Sequence, residues 1–246
     1  MDGDVIALFL ISIFIGGVVT GIAGFAFGLV VSGIWLHIIT PLQVATLIVG
    51  YGLFVQSYGI WVLHRALNWR HVWPLAIGGA IGAPAGVWLL AYMNPSYLRL
   101  AVGVLLVLYS LNGLLRPAFK AVPANLPTEL GVGFLNGVLG GMTGLAGVFV
   151  TVWCGMRGWS KDAQRAVYQP VILAAFIVTA ISLAAHGNIS VDTVKLYFAG
   201  WPILGAGVLI GFKLYDWLDD ATFRRIILLL LLLSGLLLLI PELFFR

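Results

Sequence analysis

The sequence predicts an all-α polytopic membrane protein built from two related halves. Of its 246 residues, 61% are hydrophobic and only 9% are charged, and the mean hydropathy is +1.08. A soluble domain carries roughly 25% charged residues, so this chain is too apolar for water and must lie in a bilayer. A glycine-spaced apolar segment also occurs twice, at 17–28 and at 137–147, about 120 residues apart. The repeat of this segment predicts a duplicated membrane domain.

The predicted membrane segments follow one another along nearly the whole chain. Stretches near the length of about 20 residues that a membrane helix needs are found at 5–36, 42–63, 72–92, 97–115, 130–156, 168–186, 196–215 and 222–241. The proline-containing segment 116–128 separates them into two groups of four. We therefore predict an N-terminal membrane repeat at 1–115, a linker at 116–128 and a C-terminal membrane repeat at 129–246.

The two glycine segments differ from the other six in length. As a single helix, 5–36 would extend about 48 Å, whereas the hydrocarbon core is about 30 Å thick. The segment is nevertheless too short for two complete crossings. Two half-helices that meet at the glycines and return to the same side fit its length, and the same holds for 130–156. Each glycine segment is therefore predicted to be a re-entrant hairpin.

The basic loop residues favour this arrangement. If all eight segments crossed the membrane, the 13 Lys and Arg residues would divide seven to six between the two sides. With both glycine segments re-entrant, ten lie on one side and only Arg99, Lys195 and Arg246 on the other, as the positive-inside rule requires. Both termini are then outside the bacterial inner membrane. Each repeat has a hairpin and about three spans, so the second repeat is inverted, a plan common among secondary transporters.

The helix breaks predict an anion-binding site. A half-helix that begins inside the membrane leaves N–H groups unpaired at its positive end, and an oxyanion can bind to them. Two such breaks from inverted halves would share one site near the membrane midplane. The predicted substrate-binding residues are the glycines, hydroxyls and long polar side chains at and near the breaks: Thr20, Gly21, Gly24, Gly28, Gln56, Thr143, Gly144, Gly147 and Arg165.

Each of these residues also has a simpler interpretation. Glycines four positions apart, as in Gly17-x-x-x-Gly21 and Gly137-x-x-x-Gly141, are typical of close helix packing. A polar side chain at membrane depth, such as Gln56 or Asn136, commonly forms an interhelical hydrogen bond, and Asn112 has the same two interpretations. An arginine at a membrane boundary, such as Arg165, commonly anchors its helix. The sequence leaves both interpretations open.

The second glycine segment carries a family resemblance. The run from Gly133 to Gly147 reads GFLNGVLGGMTGLAG and is followed by the basic loop RGWSK at 157–161 and by Arg165. These motifs resemble the TauE/SafE sulfite-exporter family, and the GIAGFAFG run at 21–28 matches them more weakly. The resemblance implies transport of sulfite, thiosulfate, sulfoacetate or related anions. The family commonly has proline after the glycines, whereas Val148 follows Gly147 here and Gly33 takes the corresponding place in the first half.

Composition also narrows the classes of function. The carboxylates fall in loops or at helix ends, so coupling to protons through a carboxylate at the bilayer centre is disfavoured. The sequence contains no H-E-x-x-H or G-x-S-x-G motif and a single cysteine, Cys154, which predicts neither an enzyme nor a metal or other cofactor. The expected partners are a small anion and lipid, without nucleic acid; a homodimer is left open. The alternative function is that of a non-transporting membrane assembly or maturation factor.

Overall fold

The computed structural model describes residues 3–90, 95–115, 122–123, 125–143, 147–185 and 191–244. Within these ranges all regular secondary structure is helical, as predicted. The ten α-helices are α1 (Gly3–Ala23), α2 (Phe27–Trp35), α3 (Pro41–Val62), α4 (Trp69–Leu90), α5 (Pro95–Leu115), α6 (Leu126–Thr143), α7 (Val148–Met156), α8 (Lys161–Ala185), α9 (Val191–Trp217) and α10 (Asp220–Phe244).

Both glycine segments are broken helices. The first divides into α1 and α2, and the second divides into α6 and α7. The pieces are unequal, however, and in this they differ from the predicted half-helices. With 21 residues, α1 is about 32 Å long, enough for the hydrocarbon core, whereas α2 and α7 have nine residues each. Only the short second piece of each segment has the length of a half-helix.

In the part of the chain that the structure describes, five helices are long and apolar enough to cross a membrane. The qualifying segments are Gly3–Ala23, Leu42–Val62, Lys161–Ile181, Val191–Trp217 and Asp220–Ile240. Many large apolar side chains on their outer faces are exposed, including Ile11, Ile181 and Leu233. Such a surface requires lipid rather than water as its solvent.

Local signals in the sequence explain why α3 begins where it does. Thr40 accepts a hydrogen bond from the backbone N–H of Gln43, and the Gln43 side chain accepts one in return from the Thr40 N–H. Pro41 occupies the first helical position, where a missing N–H does no harm. This capping box and proline end the connection after α2 and start the long helix that carries Gln56.

The described residues form two compact units. The first comprises Met1–Leu67 and Ile172–Leu218, and the second comprises Asn68–Val171 and Asp219–Arg246. These units do not coincide with the predicted repeats, since each takes helices from both halves of the sequence. The repeat bounds at 1–115 and 129–246 remain a prediction from the sequence.

In the first unit an aromatic core fixes α2 against α1. The Trp35 indole of α2 donates a hydrogen bond to the Ser12 hydroxyl of α1 at 2.8 Å and stacks on Phe9 with ring centroids 4.8 Å apart. From α3, the Tyr51 hydroxyl donates to the Leu196 carbonyl of α9 at 2.9 Å. These side chains are fully buried, so they hold the chain on both sides of the first break.

Glycines make the closest helix contacts in both units. In the first, α1 packs on α9, where Gly21 lies against Gly211 and Val208. In the second, α6 packs on α4, where Gly137 lies against Gly79. The sequence offset of about 120 residues relates α1 to α6 and α4 to α9. The first helix of each predicted repeat therefore packs on the fourth helix of the other repeat.

Candidate functional site

The first helix break is built around Gly24. Its φ of 82° lies in the left-handed region that glycine adopts without strain, and its N–H donates to the Thr20 carbonyl at 2.6 Å. A left-handed residue of this kind is a common end for an α-helix, which explains why α1 stops at Ala23. The chain then turns within three residues and begins α2 at Phe27.

Gln56 of α3 reaches the break. Its Nε2 donates to the Gly24 carbonyl at 2.9 Å, and the residue is only 2% exposed. The Oε1 of the same amide has no hydrogen-bond partner among the described residues, and neither has the hydroxyl of Thr20, which is 1% exposed. Two predicted site residues are thus buried beside the break with polar atoms that the protein leaves unsatisfied.

The helix after the first break lacks a side-chain cap. Ala26 stands at the N-cap of α2 and provides no hydrogen bond to the first N–H groups. Gly28, in the first turn, faces Ile48 of α3, where a Cβ would lie 3.2 Å from Ile48 Cγ2. Gly21 is accounted for by packing, because a Cβ there would lie 2.7 Å from both the Gly211 Cα and the Val208 carbonyl oxygen. Substrate contact by Gly21 and Gly28 remains a prediction.

The second helix break is closed by a side chain. Gly147 has a φ of 109° at the N-cap of α7, and its N–H donates to Asn136 Oδ1 at 3.1 Å. Of the two interpretations of Asn136, the structure shows the hydrogen bond: its side chain links α6 to the start of α7. Gly144 lies outside the described residues, and the side chain of Thr143 is also not described, so their predicted roles are untested.

In the second unit, α8 presents a buried polar face. Arg165 and Gln169 lie one turn apart on this helix, and both are 0% exposed. The side-chain amide of Gln169 has no hydrogen-bond partner among the described residues. A membrane-anchoring arginine would extend its guanidinium to the interface, so complete burial of Arg165 argues against that interpretation.

One buried carboxylate was not anticipated. Glu129, in the first turn of α6, is 3% exposed, and its Oε1 lies 2.5 Å from Nδ1 of His71 in α4. The His71 ring also lies 4.9 Å from the Trp159 ring. Glu129 is at a helix end, as expected, but the sequence gives no signal that two residues 58 positions apart form a pair. Among the described residues, no three His, Cys, Asp or Glu side chains cluster as metal ligands would.

Four other polar residues lie within the predicted membrane segments: Asn112, Ser57, Thr179 and Ser182. Asn112 and Ser57 are exposed, Thr179 donates to the Ala175 carbonyl of its own helix, and the Ser182 side chain is not described.

Comparison with known proteins identifies a family relationship over nearly the whole chain. The family described as "Sulfite exporter TauE/SafE" matches residues 8–238, which include both helix breaks and all the predicted site residues. No curated protein and no solved structure matches.

Proposed function

We propose, since the chain belongs to the sulfite exporter TauE/SafE family, that it moves small sulfur-containing anions across the bacterial inner membrane. The family is one of membrane transporters and not of enzymes. Together with the five candidate spans, membership makes the chain a multi-pass membrane protein. Sulfite, thiosulfate and sulfoacetate define the proposed substrate class.

The observation that carries the proposal is the buried polar group at the first break. Gln56, Thr20 and Gly24 place an amide, a hydroxyl and an interrupted backbone at one buried helix break. A buried polar atom without a partner destabilises the protein by about 1–3 kcal/mol. Such a group persists in a transporter because a bound substrate supplies the missing hydrogen bonds. The uncapped, positive N-terminus of α2 adds an attraction for an anion.

In the second unit, Arg165 supplies a formal positive charge in a buried position. A guanidinium matches the planar geometry of oxyanions and binds them with two parallel hydrogen bonds. We propose that Arg165 attracts the anion and that Gln169 supports the same contact. The Gln169 amide contains two donors as well as an acceptor, and it has no partner among the described residues.

The mechanism that we propose is alternating access between two inverted repeats. The equivalent packing of α1 on α9 and of α6 on α4 supports a duplicated architecture. Re-entrant hairpins and external termini rest on the division of basic loop residues in the sequence. The membrane potential would suffice to drive export, because an inside-negative potential favours outward movement of an anion by about 2.3 kcal/mol per charge per 100 mV.

The test is anion flux in proteoliposomes that contain the purified protein. Sulfite, thiosulfate, sulfoacetate and sulfate are supplied in turn, and the wild type is compared with Gln56→Leu and Arg165→Gln. We expect flux of at least one sulfur anion and a loss of at least about tenfold in each variant, which corresponds to about 1.4 kcal/mol. Ser57→Ala, an exposed neighbour of Gln56 on α3, is the matched control and should retain its flux.

Two results would count against the proposal. A folded wild-type protein that moves none of the four anions would leave the assembly-factor function as the better account. Flux that is unchanged in Gln56→Leu would show that transport occurs but does not use the first break.

A further inference from the structure

The orientation of the Gln56 amide is fixed by its hydrogen bond. A backbone carbonyl can only accept, so the group that faces the Gly24 oxygen must be the NH2 of Gln56, at 2.9 Å. Rotation of the amide by half a turn would place two acceptors against each other. The remaining group, Oε1, is therefore a hydrogen-bond acceptor that cannot become a donor.

This acceptor is buried at the break with nothing to accept from. Gln56 is 2% exposed, and Oε1 has no partner among the described residues. The carbonyl of Thr20 accepts the hydrogen bond from the Gly24 N–H, and the Thr20 hydroxyl likewise has no partner among the described residues. Unlike Oε1, this hydroxyl can either donate or accept. A ligand that completes the site must therefore bring at least one donor, for Gln56 Oε1.

We propose that the first break selects anions that carry a hydrogen-bond donor, such as hydrogensulfite, over fully deprotonated anions of similar shape. The inference rests on the proposed function and specifies the substrate form at that site. A sulfite or sulfate dianion presents only acceptors, and it would place one of them against Oε1. A protonated monoanion satisfies both features of the site, because its O–H donates to Gln56 while its charge faces the uncapped N-terminus of α2.

The sharpest probe is a pair of sulfonates that differ in a single hydroxyl. Isethionate and ethanesulfonate have the same charge at all relevant pH values, but only isethionate has an O–H. Each is tested as a competitor of radiolabelled sulfite uptake into proteoliposomes. We expect isethionate to compete at least about fivefold better, the lower limit for one buried acceptor that gains a partner. Gln56→Met removes the acceptor but keeps a similar side-chain volume. In this variant the ratio of the two inhibition constants, ethanesulfonate over isethionate, should fall to near one.

A second measurement uses sulfite itself. At constant total sulfite, uptake by the wild type should rise as the pH is lowered and hydrogensulfite replaces the dianion. Thiosulfate remains a dianion over the same range, so its uptake provides the reference for other effects of pH.

The outcomes separate this inference from the proposed function. Equal competition by the two sulfonates, in a wild type that transports sulfite, would overturn the donor requirement and leave transport standing; a resident water would then satisfy Oε1. Absence of uptake for every anion would overturn the proposed function instead. The wild-type comparison needs no variant, so misfolding of Gln56→Met would not remove the test.

Discussion

Asn136 on α6 accepts a hydrogen bond from the backbone N–H of Gly147, with 3.1 Å between Oδ1 and N. A second N–H of α7, that of Val150, lies 3.5 Å from the same oxygen. The second break therefore satisfies its own helix terminus, whereas the N-cap of α2 has no such side chain. Two segments that look alike in sequence therefore differ in structure: a side chain of α6 binds the start of α7, whereas the N-cap residue of α2, Ala26, makes no side-chain hydrogen bond.

Removal of this cap should destabilise the second unit. We expect Asn136→Ala to lower the free energy of unfolding by about 1–3 kcal/mol, the usual cost of a buried donor that loses its hydrogen-bond partner. Thermal unfolding in detergent, followed by tryptophan fluorescence, measures the change. Asn112→Ala removes an exposed amide from α5 and should change stability by less than about 0.5 kcal/mol. Equal losses in the two variants would contradict the role of Asn136.

The packing of α1 on α9 should not tolerate even one methyl group at Gly21. An added Cβ would lie 2.7 Å from Gly211 Cα, and neighbouring backbone cannot move aside easily. Gly21→Ala should therefore cost about 1–3 kcal/mol of stability. Gly205→Ala on α9, where no atom lies within 4 Å of the new Cβ, is the control and should be neutral or stabilising. A stable Gly21→Ala protein with impaired flux would instead favour substrate contact.

The His71–Glu129 pair should couple α4 to α6. In His71→Ala the buried carboxylate loses its partner, and we expect a loss of about 1–3 kcal/mol in unfolding free energy. A double-mutant cycle with Glu129→Leu should give a coupling energy of about 0.5–3 kcal/mol. Substitution of the exposed His37 by alanine should have little effect. Strictly additive losses in the cycle would mean that the two side chains do not interact.

Asp219 should titrate below the ordinary range of a carboxyl group. The Thr222 side chain and backbone N–H donate to its carboxylate before α10, and they lower its pKa from the ordinary value of 3.8. Because folding lowers the pKa of Asp219, its ionised carboxylate stabilises the folded protein at pH values above the ordinary pKa. This stabilisation is lost as the pH falls through the lowered pKa of the folded state. Carbon-13 NMR of labelled Asp should show this, and Thr222→Val should move the pKa back upward. An unchanged titration in that variant would exclude the hydroxyl as the main cause.

The re-entrant topology can be tested with a single pair of cysteines. Cys154, the chain's one cysteine, is buried, so the wild type should give little background labelling. His37→Cys and His64→Cys place thiols at exposed positions on either side of α3. With an impermeant maleimide on intact cells, position 37 should label from outside and position 64 should not. Labelling of position 37 from the cytoplasm alone would require the first glycine segment to cross the membrane completely.

Much of the fold follows from local properties of the sequence. The apolar stretches locate all the helices, and the clustered glycines locate both breaks, because a residue such as Gly24 can adopt a positive φ without strain. The unequal length of α1 and α2 was not predicted, since several glycines within 17–28 are equally able to end a helix. The choice of Gly24 depends on packing against α3 and α9, which local sequence does not reveal.

The candidate site was predictable only in part. The sequence points to Gln56 because a long amide donor at membrane depth can reach into a central cavity, but the acceptor left by its bond to Gly24 depends on tertiary geometry. The complete burial of Arg165 and the pairing of Glu129 with His71 also depend on tertiary geometry. Each of these features depends on which helices pack against each other, and the local sequence around these residues does not reveal that packing.

The packing of α1 on α9 also has a consequence for biogenesis. The glycine face of α1 is synthesised long before its partner helix, which begins only at Val191. Until then, that face is covered by lipid or by insertion machinery. The first compact unit can be completed only after α9 has left the ribosome, so a transcript truncated before α9 should yield a protein that quality-control proteases remove.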